Sequence, residues 1–265
     1  MKRLSDVCFV IPIRVDSPER GRNLDLVLDF ILHQFDSPIL VLEADNERRY
    51  FPKYANNKFQ HLFVEDNQPV FHRTKYLNSL YEMVNLPIIA VWDTDVILPH
   101  RQIIDAAEQI RQGKTVMGLP FDGCAFCTTA DLANRYQETM DLNLLEKEKL
   151  RLRTMYGKLS VGCAFLVDTE KYKRAGGENE YFFGWGPEDV ERVKRIEILF
   201  DLPIFRSKGC LYHLWHPRSH NSWYISQQSE IISKQELLKI CRMKKKELKQ
   251  YIDSWPWKIK ECIHK

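Results

Sequence analysis

Short apolar runs alternate with amphipathic stretches through the first half of the chain. Val7 to Ile13 is almost wholly apolar and reads as a strand buried on both faces. Asn23 to Gln34 places Leu24, Val27, Leu28 and Ile31 at helical spacing. Pro38 to Leu42 and His61 to Val64 read as second and third strands. Thr74 to Val84 reads as a helix with Leu77, Leu80 and Tyr81 on one face. Ile88 to Trp92 is a fourth strand. This alternation predicts an α/β fold, a mostly parallel central sheet flanked by helices. Ligands of such sheets gather beyond the carboxyl ends of the strands.

The second half is less regular. A helix is predicted over Arg101 to Gln112, closed by Gly113. Asp131 to Leu152 mixes acids, bases and leucines, as in one or two surface helices. Ser160 to Val167 is strand-like, residues 177 to 189 form a loop rich in glycine and aromatics, and 190 to 199 resume a helical pattern. Leu211 to Trp215 is a further strand. Ser233 and Glu236 have capping-box spacing, which predicts a helix from there to about residue 252. With no internal repeat and no Gly-, Pro- or Ser-rich linker, the chain divides into a domain over 1–225 and a helical extension over 226–265.

Composition adds limits. An apolar share of 44% excludes wholesale disorder. Lys and Arg exceed Asp and Glu by 39 − 36 = 3, too little to point to nucleic acid, and no nucleic-acid partner is expected. No apolar run has the length of a membrane span. The first residues run straight into Arg14, Asp16 and Pro18 and read as a strand, not a signal peptide. The seven cysteines are scattered, and reduced thiols are expected. Cys124 and Cys127 form a lone CxxC without a second ligand pair, so ordinary half-buried cysteines are expected there.

Candidate chemistry begins where the fourth strand ends, in Asp93-Thr94-Asp95. Two aspartates one residue apart can share a hard cation such as Mg2+ or Mn2+, although aspartate is also common in plain surface turns. His213 and His216 lie three apart in an extended or turning segment, and both rings can reach one metal or serve as structural residues. Arg14 ends the first strand and can fork onto phosphate or pair with a nearby acid. In Gly184-Trp185-Gly186-Pro187-Glu188-Asp189, an indole face offers a platform for a sugar and a carboxylate beside it can take a hydroxyl proton. The same stretch also suits a tight turn whose aspartate caps the next helix.

Together these stretches resemble the β-1,4-galactosyltransferase family and its bacterial relatives, nucleotide-sugar transferases of the GT-A fold. Ile11-Pro12-Ile13-Arg14 resembles its Pro-x-Arg, and Phe71-His72-Arg73-Thr74-Lys75-Tyr76-Leu77-Asn78 its F-x-R-x-K-x-x-N. Trp92-Asp93-Thr94-Asp95 resembles its D-x-D, and Phe183 to Asp189 its W-G-W-G-G-E-D. The resemblance spans residues 7 to 220 and implies an inverting, Mn2+-dependent transfer (Mg2+ as the alternative ion) of galactose or N-acetylgalactosamine from a UDP-sugar to a glycan or glycolipid hydroxyl. It implies Asp95, His213 and His216 as metal ligands and Asp93 as a contact to the donor sugar or ribose. Arg14 would touch the nucleotide, Arg73 and Lys75 would border the donor, and Trp185 would contact the sugars. Asp189 would be the base, with Glu188 as the substitute, both binding the acceptor. Phe183 and Pro187 depart from the pattern, as does Val190, which stands where the family has further acids. The aromatic expected just before Val161-Gly162 is missing, with Tyr156 near but out of register.

The alternative is a UDP-sugar or carbohydrate-binding module of the same fold without catalysis. In the tail, Arg242, Lys244, Lys245, Lys246 and Lys249 share a segment with Leu237, Leu238, Ile240, Leu248 and Ile252, followed by Trp255, Trp257, Lys258 and Lys260. Such a basic amphipathic helix either packs on the domain or rests on an anionic membrane. The expected setting is the cytoplasm, with the inner face of the membrane as the place of any peripheral contact.

Overall fold

The apolar runs become the middle of a seven-stranded sheet. The computed structural model describes residues 4–54, 57–155, 157 and 159–258. Strand β1 (Val7–Ile13) leads to helix α1 (Pro18–Gln34), β2 (Ile39–Asp45), β3 (Phe59–Glu65), α2 (Arg73–Met83) and β4 (Ile88–Trp92). Every residue of β1 and β4 is buried, as expected of strands covered on both faces. Helix α1 starts at Pro18 instead of Asn23. Ser17 caps it by accepting from the Arg20 amide, and Pro18 suits the first turn, where its missing N–H costs nothing.

The chain continues through β5 (Val96–Ile97), α3 (His100–Arg111), β6 (Met117–Leu119), β7 (Ala125–Cys127), α4 (Ala130–Thr139), α5 (Leu142–Glu148) and β8 (Arg153–Thr154). Gly113 follows α3 at φ +67°, the left-handed conformation that ends helices. Next come β9 (Ala164–Asp168), α6 (Thr169–Arg174), α7 (Glu188–Leu199), β10 (Phe205–Arg206) and β11 (Leu211–His213). The large sheet has the order β10-β6-β9-β4-β1-β2-β3. All its pairs are parallel except those of β9, which runs against both β4 and β6. Strand β9 is shorter than the sequence suggests. Leu159 and Cys163 take φ of +67° and +76°, so the approach to it is not extended. A second sheet, β5-β11-β7-β8, stands at the ligand edge of the first.

The C-terminal segment forms two helices, α8 (Gln227–Arg242) and α9 (Lys245–Asp253), not one. The cap lies earlier than the sequence reading placed it. Ser226 and Ser229 make the reciprocal capping box, while Ser233 is buried inside α8. Glu236 instead accepts from Asn179 and Tyr251. Met243 is extended, and Glu247 caps the restart at Lys244. Ile240, Leu248, Ile252 and Trp255 are buried in the core. The continuous basic amphipathic helix is therefore absent, and its main apolar residues already have partners. Lys260 and Tyr156 lie outside the described residues. Among the described residues no helix is long and apolar enough to cross a membrane.

Candidate active site

The turn after β4 is held from three sides. Trp92 Nε1 donates to the Val96 carbonyl at 2.9 Å, the Asp93 amide donates to the Cys163 carbonyl at 3.0 Å, and the Leu214 amide donates to the Asp95 carbonyl at 2.7 Å. Because β5 pairs antiparallel with β11, Val96 faces His213, and the Asp95 side chain meets both histidines. His213 Nε2 lies 3.2 Å from Asp95 Oδ1, and His216 Nε2 lies 3.2 Å from Asp95 Oδ2. The ligand atoms of these residues all fall within 4.8 Å of one another.

These residues fit a divalent cation on their own chemistry. His216 Nδ1 lies 2.8 Å from the Pro217 carbonyl while Nε2 faces Asp95, and in the tautomer that donates from Nδ1 to that carbonyl Nε2 offers a cation its lone pair. Burial holds His213 below the usual imidazole pKa despite the nearby aspartate, which leaves it a neutral donor at neutral pH. Asp95 Oδ1 is buried without a hydrogen-bond donor. Burial opposes ionising Asp95, but attraction to His213, His216 and Arg20 outweighs it and holds the carboxyl below the usual range. A carboxylate and two imidazole lone pairs converging in a buried place suit Mn2+ or Zn2+.

Arg20 is the fixed positive charge beside this cluster. Its Nη1 lies 3.7 Å from Asp95 Oδ2 and its Nη2 lies 3.4 Å from His216 Nδ1. Asp16 holds it at 2.9 Å, and Asp16 in turn accepts from Ser219. Arg73, at the start of α2, donates to Asp93 Oδ1 at 2.6 Å. Burial raises the Asp93 carboxyl pKa, as do Asp95 and Asp189, against the pull of Arg73. Arg14 donates to the Ala44 and Gln68 carbonyls and to Asp66, and lies 5.6 Å from the centre of the Phe71 ring.

The opposite wall comes from the Trp185 loop. Gly184 has φ +77°, and a Cβ there would lie 2.9 Å from Val70, so glycine is required for the loop to pass. Trp185 stands edge-on to Tyr224 with ring centres 4.8 Å apart. Pro187 precedes α7 without a side-chain cap, so Asp189 does not cap the helix. Instead Asp189 accepts from Arg192 at 2.6 Å. Glu188 is buried, and one of its oxygens lacks a donor. Burial, with Asp189 adding to it, pushes the Glu188 carboxyl up to about 8. Cys163 also lines the cleft, where burial and the surrounding carboxylates keep its thiol protonated.

A single cleft of about 520 Å³ gathers Arg14, Arg73, Asp93, Asp95, Trp185, Glu188, Asp189, His213 and His216. Lys75 is not part of its lining. It is exposed on α2, with its ammonium 5.7 Å from the Tyr76 ring centre. The cleft also includes Asp16, Arg20, Phe71, Asn221 and Tyr224, to which the sequence reading gave no role there. Asn221 and Tyr224 lie in a stretch without periodicity.

A family model described as the N-terminal domain of galactosyltransferase matches residues 145–217, a span that includes the Trp185 loop and both histidines. No curated protein sequence matches the chain. Solved structures match over most of it. A Pyrobaculum calidifontis mannosyltransferase in complex with GDP-Man and Mn2+ is 14% identical with a TM-score of 0.51, covering 98% of this chain and 73% of that one. GalNAc-T7 with UDP, GalNAc and Mn2+ is 10% identical with a TM-score of 0.53, covering 94% of this chain and 49% of that one. S. aureus TarS in complex with UDP-GlcNAc is 12% identical with a TM-score of 0.55, covering 91% and 69%. The fold is that of GT-A glycosyltransferases.

Proposed function

We propose that this protein is a metal-dependent inverting glycosyltransferase that moves a hexose, galactose or N-acetylgalactosamine, from a UDP-sugar to the hydroxyl of a glycan or glycolipid. The observation that carries this reading is one cleft with a cation-binding cluster, Asp95, His213 and His216, on one wall and the Glu188–Asp189 pair on the other. A divalent ion held by that cluster would supply Lewis-acid stabilisation of diphosphate charge. The solved neighbours were captured with nucleoside-diphosphate sugars or UDP, two of them with Mn2+. Galactosyl transfer is favoured by the matched family model and by the motifs of the chain.

The roles follow from position. Phe71 and Arg14 offer a flat face and a guanidinium for the nucleotide. Arg20 is the chain's own positive charge for the leaving diphosphate. The Arg73–Asp93 pair borders the donor sugar. Trp185 and Tyr224 receive the acceptor sugar. Asp189 takes the acceptor's hydroxyl proton while the oxygen attacks the anomeric carbon. The bond from that carbon to the diphosphate oxygen breaks, and its electron pair leaves with UDP. Attack from the face opposite UDP inverts the anomeric centre. Glu188, protonated at neutral pH, donates a hydrogen bond to the acceptor.

A panel of UDP-sugars with Mn2+, read by UDP release with and without simple sugar acceptors, tests the reading. Turnover of a galactose-type donor that requires both metal and acceptor is expected. Asp95→Ala is expected to remove the Mn2+ dependence of UDP binding and to lower turnover at least ~100-fold, the scale of lost charge stabilisation. Undiminished, metal-independent UDP binding by that variant, with no turnover by the wild type on any donor, would overturn it.

A further inference from the structure

Asp189 is tied to the core by a residue with no place in the motif that names it. Arg192 lies one helical turn further along α7 and is fully buried. Its Nη1 donates to Asp189 Oδ1 at 2.6 Å. Its other donors hold Glu178, with Nη2 at 2.8 Å from Oε2 and Nε at 3.0 and 3.1 Å from the two oxygens. Glu178 is itself fixed, because the hydroxyls of Tyr81 and Tyr172 donate to its Oε1 at 2.7 and 2.8 Å. The guanidinium lies 4.2 Å from the centre of the Phe165 ring, on the strand paired to β4. Every arm of Arg192 is therefore held by rigid elements of the fold.

The contrast with Arg195 on the same helix separates two uses of a buried arginine. Arg195 spends its donors inside the core, on Glu191 and on the carbonyls of Ala175 and Gly177. Arg192 completes its core pair with Glu178 and still directs one donor outward, to a carboxylate that lines the cleft. The second oxygen of Asp189 is fixed as well. Oδ2 lies against Gly162, where any Cβ would collide with it. One oxygen is thus tied to Arg192 while the other lies over a glycine in the cleft wall.

We propose that Arg192 is a positioning residue for the proton acceptor, locking the Asp189 carboxylate in the one rotamer that presents Oδ2 above Gly162 to the acceptor hydroxyl. This rests on the reading of Asp189 as the base. A base oriented by a third group is the general arrangement for such proton transfers, and misplacement by an ångström is enough to cost about 100-fold in rate. The charged and titratable groups facing Asp189 are Arg73 from α2, Asp93 from the end of β4, Cys163 from the approach to β9, and Glu188 and Arg192 on α7. Without the Arg192 contact, Arg73 alone faces the negative neighbours.

The test is Arg192→Lys, whose ammonium can keep Glu178 but cannot fork to both carboxylates. With a folded melting profile and a donor KM close to wild type, kcat is expected to fall about 10- to 100-fold. Asp189→Asn combined with Arg192→Lys is expected to be no slower than Asp189→Asn alone, since the arginine acts through that carboxylate. A folded Arg192→Lys with wild-type kcat overturns the inference, and so does a double variant whose losses multiply. If Arg192→Lys does not fold, Glu178→Gln with Arg192→Met removes the buried pair together and is read the same way. A wild type that transfers no sugar removes the reading of Asp189 and this inference with it. A wild type that transfers, beside an unaltered Arg192→Lys, removes this inference alone.

Discussion

Glu188 and Asp189 are neighbours in sequence with opposite surroundings. Asp189 has a guanidinium on one oxygen, whereas Glu188 is buried with an oxygen that no donor reaches. Glu188 titrates at about 8 when folded against an ordinary 4.5. Between these values the folded chain keeps a proton that the unfolded chain has lost, so stability falls as pH rises through that window and the loss is complete above it. Glu188→Gln removes this slope. Its melting temperature is expected to drop less between pH 5 and 8.5 than that of the wild type, by roughly 2–4 °C per kcal/mol recovered. The same variant is expected to keep transfer within about 10-fold, because an amide still donates to the acceptor, while Asp189→Asn loses about 100- to 10,000-fold. Initial rates at saturating donor separate the two. The meeting of Asp95, His213 and His216 was legible in the sequence through the family resemblance, to which their residue types added. Lys75 was not, for a geometric reason. Two residues along a helix turn the side chain by about 200°, so Arg73 and Lys75 cannot both face the cleft. Arg192 was hidden inside an ordinary helical pattern, since nothing local reveals that it meets Glu178, which sits in the preceding loop and is itself held by Tyr81 from α2.

At the level of elements, strands β1 and β4 and helices α1 to α3 could be read directly, since their burial follows one simple period. The C-terminal helices could not. Ser233 and Glu236 have the spacing of a cap, but tertiary contacts take both, and the true cap is made by serines with no acidic partner. Helix α9 is part of the core. Trp255 is fully buried, and at Gly176, where φ is +97°, a Cβ would lie 2.6 Å from the Trp255 ring and 2.8 Å from Ile252. Trp255→Ala is expected to cost about 3–5 kcal/mol through the cavity it leaves. Gly176→Ala is expected to cost about 1–3 kcal/mol through strain and overpacking. Urea titrations with tryptophan or far-ultraviolet signals measure both. The loss should also lower the rate of transfer, because α7, which carries Asp189, packs on both C-terminal helices.

For the whole molecule, the expected α/β architecture holds, and the reversal of β9 within the large sheet is what the sequence could not reveal. Strand polarity leaves no mark on an apolar run of five residues. The tail retains exposed cations at Arg242, Lys244, Lys245, Lys246 and Lys249, but its inward residues are used. Any attraction to anionic vesicles is therefore expected to be electrostatic, and to vanish in co-sedimentation when salt is raised from 0.05 to about 0.5 M as the screening length shortens. Binding that survives the salt would mean that α9 leaves the core.

Reversal of β9 has a consequence for how such a molecule can change. In a wholly parallel sheet only the exits of strands reach the ligand edge. Here Ala164, where β9 begins, sits opposite Trp92, where β4 ends. The segment entering β9 and the turn leaving β4 therefore share a border, and the former brings Gly162 beneath Asp189. Strand β7, earlier in the same stretch of chain, pairs with β11, where Cys127 lies opposite His213. A change in this stretch is therefore felt at both walls of the pocket, at the cation ligands through β7 and at the base through Gly162.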